Sequence, residues 1–198
     1  MPDETPFRIA IALFYLTALS FSGFFRQRAA QTGERISSGE EGVLIFVALR
    51  LSGLLGFATV VTYVVHPPWM EWAAVPLPRW LRYLAVALGL SVVPLLVWTL
   101  SALGRDITPT VVVRREHTLV TTGPYRWVRH PLYTFGITAW FAVSVMAANA
   151  FMAALIVVGA VGLAARTPKE EARLIERFGD EYREYARRTG RYLPRIFM

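Results

Sequence analysis

The chain has 198 residues, 55% of them hydrophobic, with a mean hydropathy of +0.41 and a net charge of +7. So apolar a composition excludes an ordinary soluble domain, and Cys 0 excludes disulfides, thiolate chemistry and cysteine metal sites, while with only His66, His117 and His130 a histidine metal cage is not expected. In a multi-pass membrane protein the basic excess reflects topology and anionic lipid, so nucleic acid is not an expected partner.

The N-terminal MPDETPFR is acidic where a signal peptide is basic, so the first apolar run is expected to be retained as a span. That run is Ile9 to Phe25, which Phe7 and a snorkelling Arg8 extend toward the roughly 20 residues a helical span needs. After a polar loop over residues 26–42 comes the second span, Val43 to Val65, interrupted only by Arg50. A charge at that depth either serves function or bonds a polar group on a neighbouring helix, and the sequence leaves both open. Residues 66–80, HPPWMEWAAVPLPRW, carry four prolines and three tryptophans, which suits a loop in the headgroup zone. The third span is Tyr83 to Leu103, with Pro94 placed to kink it.

Gly104 to Val128 is a polar connection whose VVVRREHTLV segment alternates enough for a short extended piece. The next 34 residues, Leu132 to Ala165, hold no charge. One helix of that length would reach about 50 Å, against a hydrocarbon core of about 30 Å. The run is therefore expected to form a hairpin, Leu132 to Ala148 and Ala150 to Ala165, turning near Asn149. In the tail, Thr167, Pro168 and Glu170 fit a capping box, so a helix is expected to start there. One face of it would carry Glu171, Leu174, Ile175, Phe178, Tyr182 and Tyr185, the other Arg173, Arg177, Asp180, Arg183 and Arg187. The chain turns beyond Gly190, and Pro194 stops any further helix.

Five spans put the termini on opposite sides. With the tail in the cytoplasm, that side collects three basic residues from the first loop, five from Gly104 to Pro131 and nine from the tail, out of 21. This is the positive-inside arrangement, and it predicts a multi-pass protein of the cell (inner) membrane with its polar segments cytoplasmic. The expected architecture is all-α, with about five transmembrane helices. A three-span region, 1–103, precedes a catalytic region, 104–198, made of a loop, a helical hairpin and a C-terminal amphipathic helix.

The chemistry sits in LVTTGPYRWVRHPLY, residues 119–133. Tyr125, Arg126, Arg129 and His130 stand at the mouth of the hairpin, where they suit either a site for a zwitterionic ligand or a basic membrane anchor. Glu170 and Glu171, beside Arg166, offer carboxylates for an amine or a ribose diol; the alternative for Glu170 is capping.

Taken together, LVTTGPYRWVRHPLY and, about thirty-five residues later, EEARLIERFGDEYREYARRTGRYLP resemble the isoprenylcysteine carboxyl methyltransferase family over about Leu103 to Pro194. The resemblance implies a membrane enzyme that uses S-adenosylmethionine, releases S-adenosylhomocysteine and has no Rossmann domain. It also implies that Gly123, Pro124, Tyr125, Arg129, His130 and Tyr133, with the backbone of Leu119 and Val120 and with Glu170, line the cofactor site. Arg166, Glu171 and Arg129 become the catalytic candidates, and no metal is expected. Membrane lipid surrounds a lipophilic or prenylated acceptor. Bound as a carboxylate it would need a cation, Arg166 first and Arg129 second; an amine or thiol acceptor, as in related phospholipid and thiol methyltransferases, would need Glu171 or His130 as base. Phe135 stands where the family commonly has glycine, with Gly136 after it, which bears on the hairpin's packing or an acceptor channel. An NADPH-dependent membrane reductase and a transporter or scaffold are the competing readings.

Overall fold

A computed structural model describes residues 3–30, 43–103 and 119–195. Six helices follow in order: α1 (Thr5–Ala30), α2 (Val43–Val65), α3 (Arg79–Leu103), α4 (Pro131–Met146), α5 (Ala150–Phe178) and α6 (Asp180–Arg188). Short 3-10 turns occupy Pro67–Ala73 and Gly123–Arg126. In hydrocarbon only internal hydrogen bonds can satisfy the backbone, so the charge-free runs become helices. Among the described residues α2, α3 and α5 are long and apolar enough to cross a membrane, while Thr5–Phe21 and Pro131–Met146 are shorter apolar helices. Leu44, Leu54, Leu90 and Val161 stand exposed on these helices, as a lipid-facing surface requires.

The hairpin forms as expected. Asn149 caps α5 by accepting a hydrogen bond from the Met152 amide at 3.0 Å, and its own amide donates to the Met70 carbonyl at 3.2 Å. α3 packs along α4, α2 along α5, and α1 against α2, α3 and α4. The buried core of Ile11, Val60, Tyr63, Ala85, Ala142, Val143, Met146 and Met152 lies toward the Asn149 end. At that end Arg82 is only 5% exposed. It donates to the Met146 carbonyl at 2.8 Å and pairs with Glu4, and Tyr63 joins them. Arg8 takes the Val64 and Val65 carbonyls, satisfying the C-terminal end of α2.

The tail departs from the sequence reading. No helix starts at Pro168: α5 runs unbroken to Phe178 with Pro168 inside it. A start there would strip partners from the carbonyls of the preceding turn at the membrane boundary, a larger loss than the roughly 1 kcal/mol a cap contributes. Thr167 instead donates to the Leu163 carbonyl at 2.8 Å, and Glu170 turns to side-chain partners. The amphipathic stripe is likewise split, because Gly179 (φ +57) ends α5 and folds α6 back. Arg50 is exposed, its guanidinium 4.8 Å over the Phe46 ring of its own helix. Of the expected extended piece, 111–118 lies outside the described residues.

Candidate active site

Three segments converge at the end of the bundle remote from Asn149. The turn before α4 enters through Gly123, whose φ of +60 suits glycine and whose Cβ would stand 3.0 Å from the Ala102 Cβ at the end of α3. Pro124 is buried, and Leu119 and Val120 lie half-buried upstream. The second segment is α5 beyond Ala165, where Arg166, Lys169, Glu170 and Glu171 show that the helix has left the hydrocarbon. The third is the strap after α6. It pairs alongside the turn through a parallel bridge between Val128 and Gly190, with Arg129 N–H donating to the Gly190 carbonyl (2.8 Å) and His130 N–H to that of Arg191 (3.0 Å). Gly190 is required: a Cβ there would fall 1.7 Å from the Leu193 carbonyl oxygen.

Arg129 and His130 meet Glu170 and Glu171 at this junction. The Arg129 Nε donates to Glu171 Oε1 at 2.8 Å, and its Nη1 caps α6 by donating to the carbonyls of Ala186 and Thr189. Arg191 completes a second ion pair with Glu171 at 2.5 Å. Burial pushes the Glu171 carboxyl up, but His130, Arg191 and Arg129 outweigh it and hold the group at about 2. Glu171 is thus a permanently charged tie between α5, the turn and the strap, a poor proton acceptor, and Arg129 is committed to the same tie.

Glu170 differs. Both of its oxygens accept from the Tyr133 hydroxyl at 2.8 Å, and Arg166, one turn back, donates to Oε1 at 3.2 Å. The His130 ring stacks on Tyr133, centroids 5.4 Å apart, with Nδ1 3.7 Å from Glu170 Oε2. Its Nε2 faces Glu171 Oε1 at 3.4 Å, an electrostatic contact outside strict hydrogen-bond geometry. Tyr125 reaches the same place: burial pushes its phenol up, and the nearby Tyr185 and Glu170 push it further. Its carbonyl accepts from the Tyr185 hydroxyl at 2.7 Å.

Besides Arg191, two contributors escaped the sequence reading. Tyr192 accepts from Thr134 through its carbonyl and donates through its hydroxyl to Thr167, both at 2.7 Å, which fastens the strap over the His130 ring. The other is an apolar groove of about 240 Å³ between α2, α4 and α5. Met152, Ile156, Gly159 and Leu163 line it along α5, and the same three- and four-residue spacing carries that face on to Arg166 and Glu170. From α4 it takes Tyr133, whose hydroxyl is bonded to Glu170, and Gly136. Gly136 thus keeps the groove open where Phe135 has displaced the expected glycine by one position.

Residues 85–176 match the model of the isoprenylcysteine carboxyl methyltransferase (ICMT) family. Among curated proteins, the chain is 41% identical over 95 residues to protein-S-isoprenylcysteine O-methyltransferase B of Arabidopsis thaliana, covering 46% of this chain and 48% of that protein. It is 30% identical over 112 residues to the nickel-cobalt-cadmium resistance protein NccN of Alcaligenes xylosoxydans xylosoxydans, covering 56% and 53%. The chain spans about half the length of these relatives. The eukaryotic intramembrane Ras methyltransferase ICMT shares the fold, with a TM-score of 0.50 at 19% identity over 78% of this chain and 53% of that one.

Proposed function

We propose that this chain, a membrane protein whose residues 85–176 carry the isoprenylcysteine carboxyl methyltransferase signature, is an S-adenosylmethionine-dependent methyltransferase acting on a lipophilic carboxylate of isoprenylcysteine type. The observation that carries the reading is the continuity of one α5 face from a lipid-level groove to a polar cluster holding Arg166, Glu170 and Tyr133. Such a face suits a substrate with an apolar tail and a charged head, and the distribution of basic residues supports a cytoplasmic position for its polar end.

The donor set fits the cofactor. A zwitterion with ribose hydroxyls and a sulfonium needs carboxylate acceptors, hydrogen-bond donors and aromatic faces; Glu170, the His130 imidazole, and Tyr125 with Tyr133 supply them. S-adenosylmethionine, when bound, supplies a methyl group already activated by its sulfonium. The protein's task is therefore placement and exclusion of water, worth ~7 to 11 kcal/mol when geometry is good. Arg166 would hold the acceptor carboxylate at the groove mouth and orient one oxygen, exchanging part of its pairing with Glu170 for the new anion. A carboxylate needs no base, which agrees with the low proton affinity of Glu171. Glu171 and Arg129 would position the turn and the strap, without contacting the reacting atoms.

Isothermal titration of the full detergent-purified chain with S-adenosylhomocysteine tests the cofactor. Saturable binding is expected, with loss of affinity in His130→Ala and Glu170→Gln. No binding at high micromolar concentration refutes the methyltransferase reading. Incubation with radiolabelled cofactor and separate carboxylate, amine and thiol acceptors then identifies the acceptor class; label in the amine or thiol alone overturns the carboxylate assignment.

A further inference from the structure

Arg50 stands seven residues into α2, about 10 Å along the helix. It shares a stripe with Val47, Leu54 and Phe57, all exposed where the helix meets lipid. Among the described residues its guanidinium makes no hydrogen bond or ion pair; it rests 4.8 Å over the Phe46 ring. A cation held at that depth is costly, and such residues pair with another group or mark the path of a charged substrate.

Two contacts fix the depth of this guanidinium. A Cβ on Gly162 would stand 2.8 Å from Leu49 Cδ2, so the neighbour of Arg50 meets α5 at Gly162. α2 runs toward the Asn149 end, where Val60 and Tyr63 join Met152 in the core, and α5 runs away from it. Arg166 comes four residues after Gly162, and the Arg50 side chain leans the same way, lying over Phe46 four residues nearer the start of α2. Each advance is about 6 Å. The two guanidiniums therefore stand at about the same depth, on two helices that bound the groove. Their surroundings differ: the Arg166 side chain is 11% exposed and paired with Glu170, whereas Arg50 is exposed beside Leu49 and Gly53, which line the groove.

Resting on the lipophilic-acceptor reading above, we propose that Arg50 is the capture residue for the acceptor: its guanidinium docks the carboxylate of a lipid-borne acceptor on the bilayer-facing flank of the groove, from which the head passes to Arg166 at the same depth. A guanidinium holds a carboxylate through two parallel hydrogen bonds, and the pair is stronger in surroundings of low dielectric than in water. A tail that leaves lipid for the groove gains nothing from escaping water, so the preference for this flank must come from the head. Arg50 thereby selects anionic heads over neutral or ammonium heads before chemistry begins. It acts on encounter and binding and does not touch the reacting atoms.

The test uses the full chain in phosphatidylcholine nanodiscs carrying N-acetyl-S-decylcysteine, whose head is a carboxylate, or its carboxamide as a neutral twin. Binding is read by displacement of a fluorescent decyl carboxamide, and methyl transfer is read separately as KM and kcat. Arg50→Gln should weaken carboxylate binding and raise its KM about tenfold to a hundredfold, the worth of a hydrogen-bonded charge. Carboxamide binding should not change, and kcat should stay within about twofold, as for a contact made equally in ground and transition states. Arg50→Lys, which keeps the charge and loses the fork, should fall between the two. The thermal midpoint of Arg50→Gln should not drop, since the guanidinium has no polar partner among the described residues to lose. Unchanged carboxylate binding in Arg50→Gln overturns the proposal, as does equal weakening of the carboxamide. Loss of copurifying phosphatidylglycerol in that variant, with carboxylate binding intact, assigns the cation to a phospholipid phosphate and also overturns it. Carboxylate binding that depends on Arg50 without any methyl transfer refutes the methyltransferase reading and leaves the capture site standing; methyl transfer with a KM indifferent to Arg50 does the reverse. No binding of either conjugate to the wild type refutes both the capture site and the acceptor class.

Discussion

Replacing Glu171 by glutamine asks how much of the site is held by one carboxylate. Glu171 and Arg129 are each 11% exposed in their side chains, and their contact is 2.8 Å. Breaking such a pair by removing one partner typically costs about 3 to 5 kcal/mol, chiefly because a buried charge is left uncompensated. Here Arg129 keeps the carbonyls of Ala186 and Thr189, which lowers the figure. The second cation, Arg191, is 46% exposed and adds at most about 1 kcal/mol. A loss of about 2 to 4 kcal/mol follows. At roughly 2 to 4 °C per kcal/mol for a chain of this size, the thermal midpoint should fall by about 4 to 16 °C in detergent. A double-mutant cycle with Arg129→Met isolates the pair, and its coupling should be about 1 to 3 kcal/mol. Additive single variants, or a midpoint shift below about 2 °C, would refute the tie between α5 and the strap.

The same carboxylate sets an acid limb. Because the folded protein holds Glu171 at about 2 against an ordinary 4.5, its contribution is complete above 4.5 and is lost as pH falls from 4.5 toward 2. Thermal midpoints measured across that range should show the limb in wild type and a shallower one in Glu171→Gln. Gly190→Ala should lower the midpoint and weaken S-adenosylhomocysteine binding together, since its Cβ collides with the Leu193 carbonyl and displaces the strap that holds the backbone of Arg129 and His130; unchanged titration and melting curves would refute the strap's role. At the far end, Arg82→Met should cost about 2 to 4 kcal/mol by removing a buried cation from Glu4, Tyr63 and the Met146 carbonyl. Cofactor affinity should not change, because the 16-residue α4 separates the two ends by about 24 Å, and a loss of affinity without loss of stability would contradict that separation.

The all-α membrane architecture, the hairpin and the partnership of the two polar blocks were legible in the sequence because each rests on a local rule. Charge-free length sets a span, 34 uncharged residues exceed one crossing, and asparagine at their midpoint caps the return. Arg129 and His130 come together with Glu170 and Glu171 because the hairpin returns the chain to its starting end. Tertiary structure decided what local rules leave balanced. Thr167, Pro168 and Glu170 make a good capping box, yet the packing of α5 and the Tyr192 hydroxyl on Thr167 favour a continuous helix worth more than the cap. Arg129 and Glu171 carry the same residue types as any catalytic pair; only the folded chain brings them to the α6 carbonyls and Arg191, the contacts on which the proposed positioning role rests. The groove was invisible for a related reason, since glycines from three helices make a cavity only when those helices are set side by side.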